Sequence, residues 1–260
     1  MGKVIELSAR REHEFINAFF DLSSETHFWF VWRFQAFLAQ LRDLGIDLRE
    51  PLHVLDIGAG AGVLRKQIES HSEWVVDITD LDIKGLSAAP SGRGKTYYYD
   101  ILEKRPDLAE SYDAITLFDV LEHIDETPPF VDAVLFHLKP NGRLFLNVPA
   151  MQWLYSRFDS VQGHCRRYTI KTLEAEFSNF GVRILDARYW GWINLPLLIT
   201  RKFLLDNFSG KKSDEEVYAS GFAPPGKLIN QILLKAMQVE LSLPAQRMGG
   251  SSILLAVEKL

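Results

Sequence analysis

The chain has 260 residues, 47% hydrophobic and 24% charged, which is enough to bury one good core and too apolar for a chain that is disordered in its main state. A formal net charge of −5 disfavours nucleic acid as the main ligand, because a surface that tracks phosphates carries a basic excess. Cys165 is the single cysteine, so an internal disulfide and a thiolate zinc cluster are excluded, no metal is expected, and a reducing cytoplasm is the expected compartment.

Met1 to Arg11 is polar with charges of both signs and lacks the apolar centre of a signal peptide. From Glu12 to Leu44 apolar residues recur at helical spacing, crowded with aromatics from Phe28 to Phe37. Gly45 and Pro51 end that segment. Alternation then begins. Leu52–Ile57 reads as a buried strand, Val63–Ser70 as a helix and Trp74–Leu81 as a second strand. Ser87–Lys95, with its proline and glycines, reads as a loop. Strands are expected at Tyr97–Ile101, Tyr112–Phe118 and Arg143–Val148, with a helix over Phe130–Leu138 stopped by Pro140, Asn141 and Gly142. A helix from Thr169 to Phe180 leads to a strand over Val182–Trp190, and Ser251–Glu258 is the last strand.

Such alternation predicts an α/β fold, a doubly wound and mostly parallel sheet with helices on both faces. Ligands then bind at the carboxyl ends of the strands. About 60 residues separate the last two strands, far beyond an ordinary connection. They read as an apolar helical insertion. Its longest apolar stretch, Trp192 to Phe208, is broken by Pro196, Arg201, Lys202 and Asp206 and is too short and charged to span a bilayer. The expected division is a helical cap over 1–50, a binding domain over 51–190 and 251–260, and the insertion over 191–250.

Asp56-Ile-Gly-Ala-Gly-Ala-Gly62 is the most informative segment. A strand ends, glycines permit a tight turn and close ligand approach, and a helix N-terminus follows with free N–H groups. A dinucleotide fingerprint needs a further glycine at Val63 or Arg65, and both positions fail. Asp56, placed at the mouth of the loop, can hold the turn or, through water, a cofactor amine, and it also repels a pyrophosphate. Gly58, Ala59, Gly60 and Gly62 therefore suit a cofactor without phosphate, such as an adenosyl amino acid. Asp80 lies 18 residues after Gly62, near where an acid holds a ribose diol. Leu81 and Asp82 adjoin it, Asp82 being the second choice. Asp100 can accept from an adenine amino group and the Ile101 N–H can donate to the ring. His164, Arg166, Arg167 and Tyr168 form a cationic and aromatic cluster suited to an anionic acceptor, or a loop pinned to acids such as Asp159.

Val54-Leu-Asp-Ile-Gly-Ala-Gly-Ala-Gly62, Tyr112-Asp-Ala-Ile-Thr-Leu-Phe-Asp-Val-Leu-Glu-His123 and Lys139-Pro-Asn-Gly-Arg-Leu-Phe-Leu-Asn147 resemble, in this order, the signatures of class I S-adenosylmethionine-dependent methyltransferases. His27-Phe-Trp-Phe30 with Arg33, and Gly163-His-Cys-Arg-Arg-Tyr-Thr169, resemble a bacterial subgroup linked to glycan, lipid or surface-polymer pathways. Ala59 and Ala61 depart from the cysteine and threonine or serine of many relatives, but stay small. The resemblance implies a seven-stranded Rossmann-like sheet with an antiparallel last strand. It implies S-adenosyl-L-methionine as cofactor and a small-molecule acceptor. It places the loop glycines on the methionine part, Asp80 on the ribose and Asp100 with Ile101 on adenine. Phe118 and Asp119 would lie under the sulfonium, with His123 close by, and Trp29 and Arg33 would come from the cap.

His164 and His123 are the candidate proton acceptors, since histidine titrates nearest neutrality. The insertion could supply an acceptor pocket, an oligomer surface or a peripheral membrane contact, with packing on its own domain as the default. The alternatives are an oxidoreductase that uses NAD, and a cofactor-binding regulatory protein without turnover. A nucleic-acid methyltransferase is disfavoured by charge and by Phe118-Asp-Val-Leu121, which stands where an Asn-Pro-Pro-Tyr-like motif would be needed.

Overall fold

The computed structural model describes residues 3–10, 27–208, 213–217, 226–243 and 249–260. Within them the strands are β1 (Val4–Glu6), β2 (His53–Ile57), β3 (Val75–Asp80), β4 (Thr96–Tyr98), β5 (Tyr112–Phe118), β6 (Leu138–Pro149), β7 (Val182–Trp190) and β8 (Ser252–Lys259). They form one sheet in the order β1-β4-β3-β2-β5-β6-β8-β7. Pairings are parallel except those of β8, which runs antiparallel to both β6 and β7. Strand order reverses between β2 and β5, which opens a crevice at their carboxyl ends.

β2 and β5 are buried along nearly their whole length, as parallel strands covered on both faces must be. Alternate residues supply two cores. Leu55, Ile115, Leu144 and Leu255 pack under the helix α4 (Thr127–His137), whose Pro128 and Pro129 sit in the first turn where no N–H is needed. Val54, Ile78, Phe145 and Leu254 pack on the opposite face with α1 (Phe28–Asp43) and α2 (Val63–His71). Phe37 of α1 stands edge-on to Phe118 and Phe145, with ring centroids 5.2 and 5.3 Å away.

The expected cap over 1–50 is therefore corrected. Trp32 and Phe37 are fully buried, so α1 is one of the layers that build the core. Val4–Glu6 pairs in parallel with Thr96–Tyr98 and extends the sheet to eight strands where seven were expected. A three-residue strand carries too little alternation to be read from sequence. The expected helix began at Glu12, and residues 12–26 lie outside the described ones.

Short helices α3 (Ile83–Ala88), α5 (Arg157–Val161) and α6 (Ile170–Ala175) complete the connections. β6 runs through the expected Pro140–Gly142 stop, where Asn141 takes a φ of 60°. In the insertion, α7 (Leu195–Phe208) and α8 (Lys227–Leu241) are helical as expected. α8 is tied to the domain by Glu240, whose carboxylate accepts from the N–H groups of Gly191 (2.5 Å) and Ile193 (3.0 Å). Among the described residues no helix is long and apolar enough to cross a membrane.

Candidate active site

The glycine loop follows β2 at the crevice. Gly58, Gly60 and Gly62 take φ values of 72°, 52° and 70°, the left-handed region that disfavours a β-carbon. A β-carbon on Gly58 would lie 2.3 Å from Val120 Cγ2. The N–H groups of Gly58 and Ala59 donate to Thr79 O on β3. Gly60 N–H donates to Asp80 Oδ2 at 2.7 Å, and Asp82 N–H donates to Asp80 Oδ1 at 2.8 Å. Asp80 thus joins the loop to the end of β3. Part of its surface remains open, yet the overlying loop crowds its carboxyl, and this desolvation pushes its pKa above the usual range despite those bonds.

Asp56 does not stand at the mouth of the loop, and that expectation is corrected. It is 2% exposed, beneath the loop, where Oδ1 accepts from Thr116 Oγ1 at 2.7 Å. Its Oδ2 is buried without a hydrogen-bond partner among the described residues. Burial pushes the carboxyl up to about 7, opposed by Thr116, Arg33 and Arg65. Asp82 caps α3 by accepting from Lys84 N–H at 2.9 Å, and half-buried Leu81 lies between it and Asp80. Asp100 caps the turn Ile101–Glu103 through Leu102 N–H at 3.0 Å, and its own N–H donates to Ser8 Oγ. Ile101 is buried beside it. The expected cofactor acids thus also build the turns that carry them.

Across the crevice, Asp119 leaves β5 with a φ of 59°. Its Oδ2 pairs with Arg33 Nη1 at 2.5 Å, and its Oδ1 accepts from Asn147 Nδ2 at 2.5 Å. Asn147 Oδ1 in turn accepts from Trp190 Nε1 at 2.8 Å. The half-buried Trp29 ring lies 4.9 Å from that of Trp190 and packs against it. Arg33 is flanked by the rings of Phe30 and Phe118 at 5.2 and 5.4 Å. Sequence reading missed Asn147 and Trp190. The available signal was a lone amide inside the apolar strand Leu144–Val148, where Asn147 is fully buried.

A second cluster lies beside this one. Cys165 N–H donates to Glu122 O at 2.7 Å, binding the turn Leu121–His123 to the loop after α5. The His123 and His164 rings meet edge to face at 4.8 Å. His164 Nδ1 lies 3.0 Å from Asp159 Oδ1, which also accepts from Arg167 Nε at 2.7 Å. Burial pushes the Asp159 carboxyl up, but His164 and Arg167 outweigh it and hold the group down at about 2. His123 reaches solvent, yet the crowding walls and then the neighbouring His164 lower its basicity to about 4. Burial, then the charge of Asp119, pushes Glu122 well above the usual carboxylate range.

Two expected acceptor contacts are corrected here. Arg167 is buried against Asp159 and Ala150 O, and Tyr168 is 1% exposed with its hydroxyl on Leu121 O. Both hold the loop from within. Arg166 reaches Asp125 O at 2.9 Å from a more open position. Sequence reading also missed Glu122 as a site residue. A carboxylate oxygen of Glu122 and ring nitrogens of His123 and His164 all lie within 4.8 Å of one another. The cysteine count, which led to the expectation of no metal, is blind to such a nitrogen and oxygen set.

The profile of a methyltransferase domain family matches residues 30–187. A ubiquinone biosynthesis O-methyltransferase from Idiomarina loihiensis is 33% identical over 109 residues, which cover 39% of this chain and 45% of that protein. The matched part spans less than half the length of the curated relatives. A solved structure of a putative sarcosine dimethylglycine methyltransferase from Galdieria sulphuraria superposes with a TM-score of 0.57 at 14% identity, covering 87% of this chain and 85% of that one. Phosphoethanolamine N-methyltransferase 2 from Haemonchus contortus, solved with S-adenosyl-L-methionine, gives 0.53 at 16% identity over 85% of this chain and 51% of that one. At these identities the solved structures speak for the fold. With a sheet of this order, a glycine loop at its crevice and a profile match over more than half its length, the chain belongs to the methyltransferase domain family.

Proposed function

We propose that this protein transfers the methyl group of S-adenosyl-L-methionine to a small-molecule acceptor, entering beside His123 and His164. The observation that carries the reading is the Asp80–Gly60 contact. The Asp80 carboxylate already takes the Gly60 N–H at 2.7 Å, so that loop donor is not free for a pyrophosphate and a negative charge stands beside it. The same loop, free of β-carbons at Gly58, Gly60 and Gly62, fits the amino-acid end of a cofactor that lacks phosphate. Leu81, Asp82, Asp100 and Ile101 line the adjoining strand ends on the ribose and adenine side. Phe118, Asp119, Arg33 and Trp29 bound the opposite wall.

Bound there, the cofactor supplies a sulfonium-activated methyl group. The protein's part is to align an acceptor and keep water out. Arg33, sandwiched between Phe30 and Phe118, fixes Asp119 at the crevice. An acceptor hydroxyl must lose its proton as its oxygen bonds to carbon, and His164, oriented by Asp159, is the side chain placed to receive it. Of the two arginines expected to meet the acceptor, Arg166, resting on Asp125, is the one that stays open toward an anionic or sugar-linked acceptor; a glycan or lipid pathway rests on the resemblance of the Gly163–Thr169 segment.

Calorimetric titration with S-adenosyl-L-methionine, with NAD as control, tests the reading. Binding in the micromolar range, absent for NAD and at least tenfold weaker in Asp80→Ala, is expected. Preference for NAD would overturn it. Cofactor binding with no S-adenosylhomocysteine formed over a broad acceptor panel would instead favour a regulatory protein.

A further inference from the structure

We propose that Glu122, His123 and His164 form a binding site for a divalent transition-metal ion of the zinc class. Their donor atoms already lie within 4.8 Å of one another. Ligand bonds of about 2.1 Å place tetrahedral donors about 3.4 Å apart. Closing the set from that separation requires the donors to approach by at most about 1.4 Å.

Three features mark the cluster as built. First, the Asp159 carboxylate, fully buried, holds His164 Nδ1 at 3.0 Å and leaves Nε2 as the ligand nitrogen. A carboxylate behind a ligating histidine fixes its tautomer and orientation. Second, Glu122 is 1% exposed, and its Oε2 has no hydrogen-bond partner among the described residues. A buried carboxylate oxygen without a donor is costly unless a cation meets it. The neighbouring guanidinium of Arg167 is engaged by Asp159 and Ala150 O, and that of Arg33 by Asp119. Third, the two ligand-bearing loops are stitched together by Cys165 N–H on Glu122 O.

Two imidazoles and one carboxylate suit zinc or cobalt, whereas magnesium prefers an all-oxygen shell. Asp119 is outside the set, since its oxygens are taken by Arg33 and Asn147. His123 is exposed and gives the ion an entry path. Three protein ligands leave a position open for water or an acceptor oxygen. Only that last use rests on the proposed methyl transfer, where an ion would replace His164 by lowering the pKa of an acceptor hydroxyl, whose proton would leave to solvent past the exposed His123.

The test is equilibrium dialysis of the untagged, chelator-stripped full chain against zinc and, separately, magnesium, with metal analysis. The expected result is one zinc per chain, no stoichiometric magnesium, and at least tenfold weaker zinc binding in His123→Ala and in His164→Ala. Asp159→Asn should weaken it by about 10- to 100-fold. Circular dichroism of each variant identifies any that misfolds, and the exposed His123 gives a variant removed from the core. Failure to bind zinc stoichiometrically, a preference for magnesium, or unchanged affinity in both histidine variants would overturn the proposal. Titrating the same preparations with S-adenosyl-L-methionine separates the two readings. Lost zinc binding with intact cofactor binding removes the ion alone, and the reverse removes the methyl-transfer reading alone.

Discussion

The two sides of the crevice are built by different means. On the β2–β4 side the site is made of turns, and each acid caps or closes the backbone within its own segment or the next strand. Asp82 caps through a residue two positions on, as does Asp100, and Asp80 reaches back to the glycine loop. On the β5–β6 side the site is made of side chains from distant segments. Arg33 meets Asp119, Trp190 meets Asn147, and Asp159 gathers His164 and Arg167. Local geometry shapes the first side and long-range packing the second, so they should fail differently when broken.

The largest effect is expected at Asp159→Ala. It leaves the Arg167 guanidinium buried without its carboxylate, a loss of about 3–5 kcal/mol. A scanning thermal melt should fall by roughly 10 °C. A shift of a degree or two would show that this side is less interlocked than its bonds imply.

Next is Gly58→Val on the turn side. A positive φ costs about 1–2 kcal/mol for a β-carbon, and the overlap with Val120 adds about 1–3 kcal/mol. Calorimetry should show S-adenosyl-L-methionine binding at least tenfold weaker, with the fold retained. Wild-type affinity would mean that the loop yields, and that its glycines serve only packing.

Asp56, under the turn side, should give stability a pH dependence. Its folded pKa of about 7 lies above the unfolded value of 3.8, so the native state binds the extra proton. That stabilisation is whole below the unfolded value and is lost as pH rises through about 7. The wild-type urea midpoint should therefore fall relative to that of Asp56→Asn between pH 5 and pH 8. Asp80 and Glu122, also raised by burial, add slopes of the same sign in both proteins, and His123, lowered to about 4, adds one of the opposite sign. A midpoint that rises over this range in wild type but not in Asp56→Asn would reverse the assignment.

The smallest effect is expected at Trp190→Phe, which removes one hydrogen bond to Asn147 and costs about 1 kcal/mol in urea unfolding. If Asn147 instead relaxes onto water, the loss will be too small to measure.

The turn side was largely legible in the sequence because its signals are local. Glycine spacing, a strand ending in acid, and an acid 18 residues on are all read within one segment. Even there Asp56 was misplaced, because a period of two says which face a residue takes but not what lies over it. On the other side, Arg166, Arg167 and Tyr168 read as one cationic patch. Adjacent residues in an irregular loop point in unrelated directions, and Arg167 and Tyr168 turned inward.

The sequence by itself determined the alternation of strands and helices, the phosphate-free glycine loop and the family to which they point. These follow from periodicity and from backbone angles that glycine alone adopts easily. Only the tertiary structure decided that the aromatic N-terminal helix is core, that Val4–Glu6 closes onto the sheet edge, and that Glu122, His123 and His164 converge. Those outcomes depend on which faces pack together across long stretches of chain, and packing partners leave no periodic trace in the residues between them.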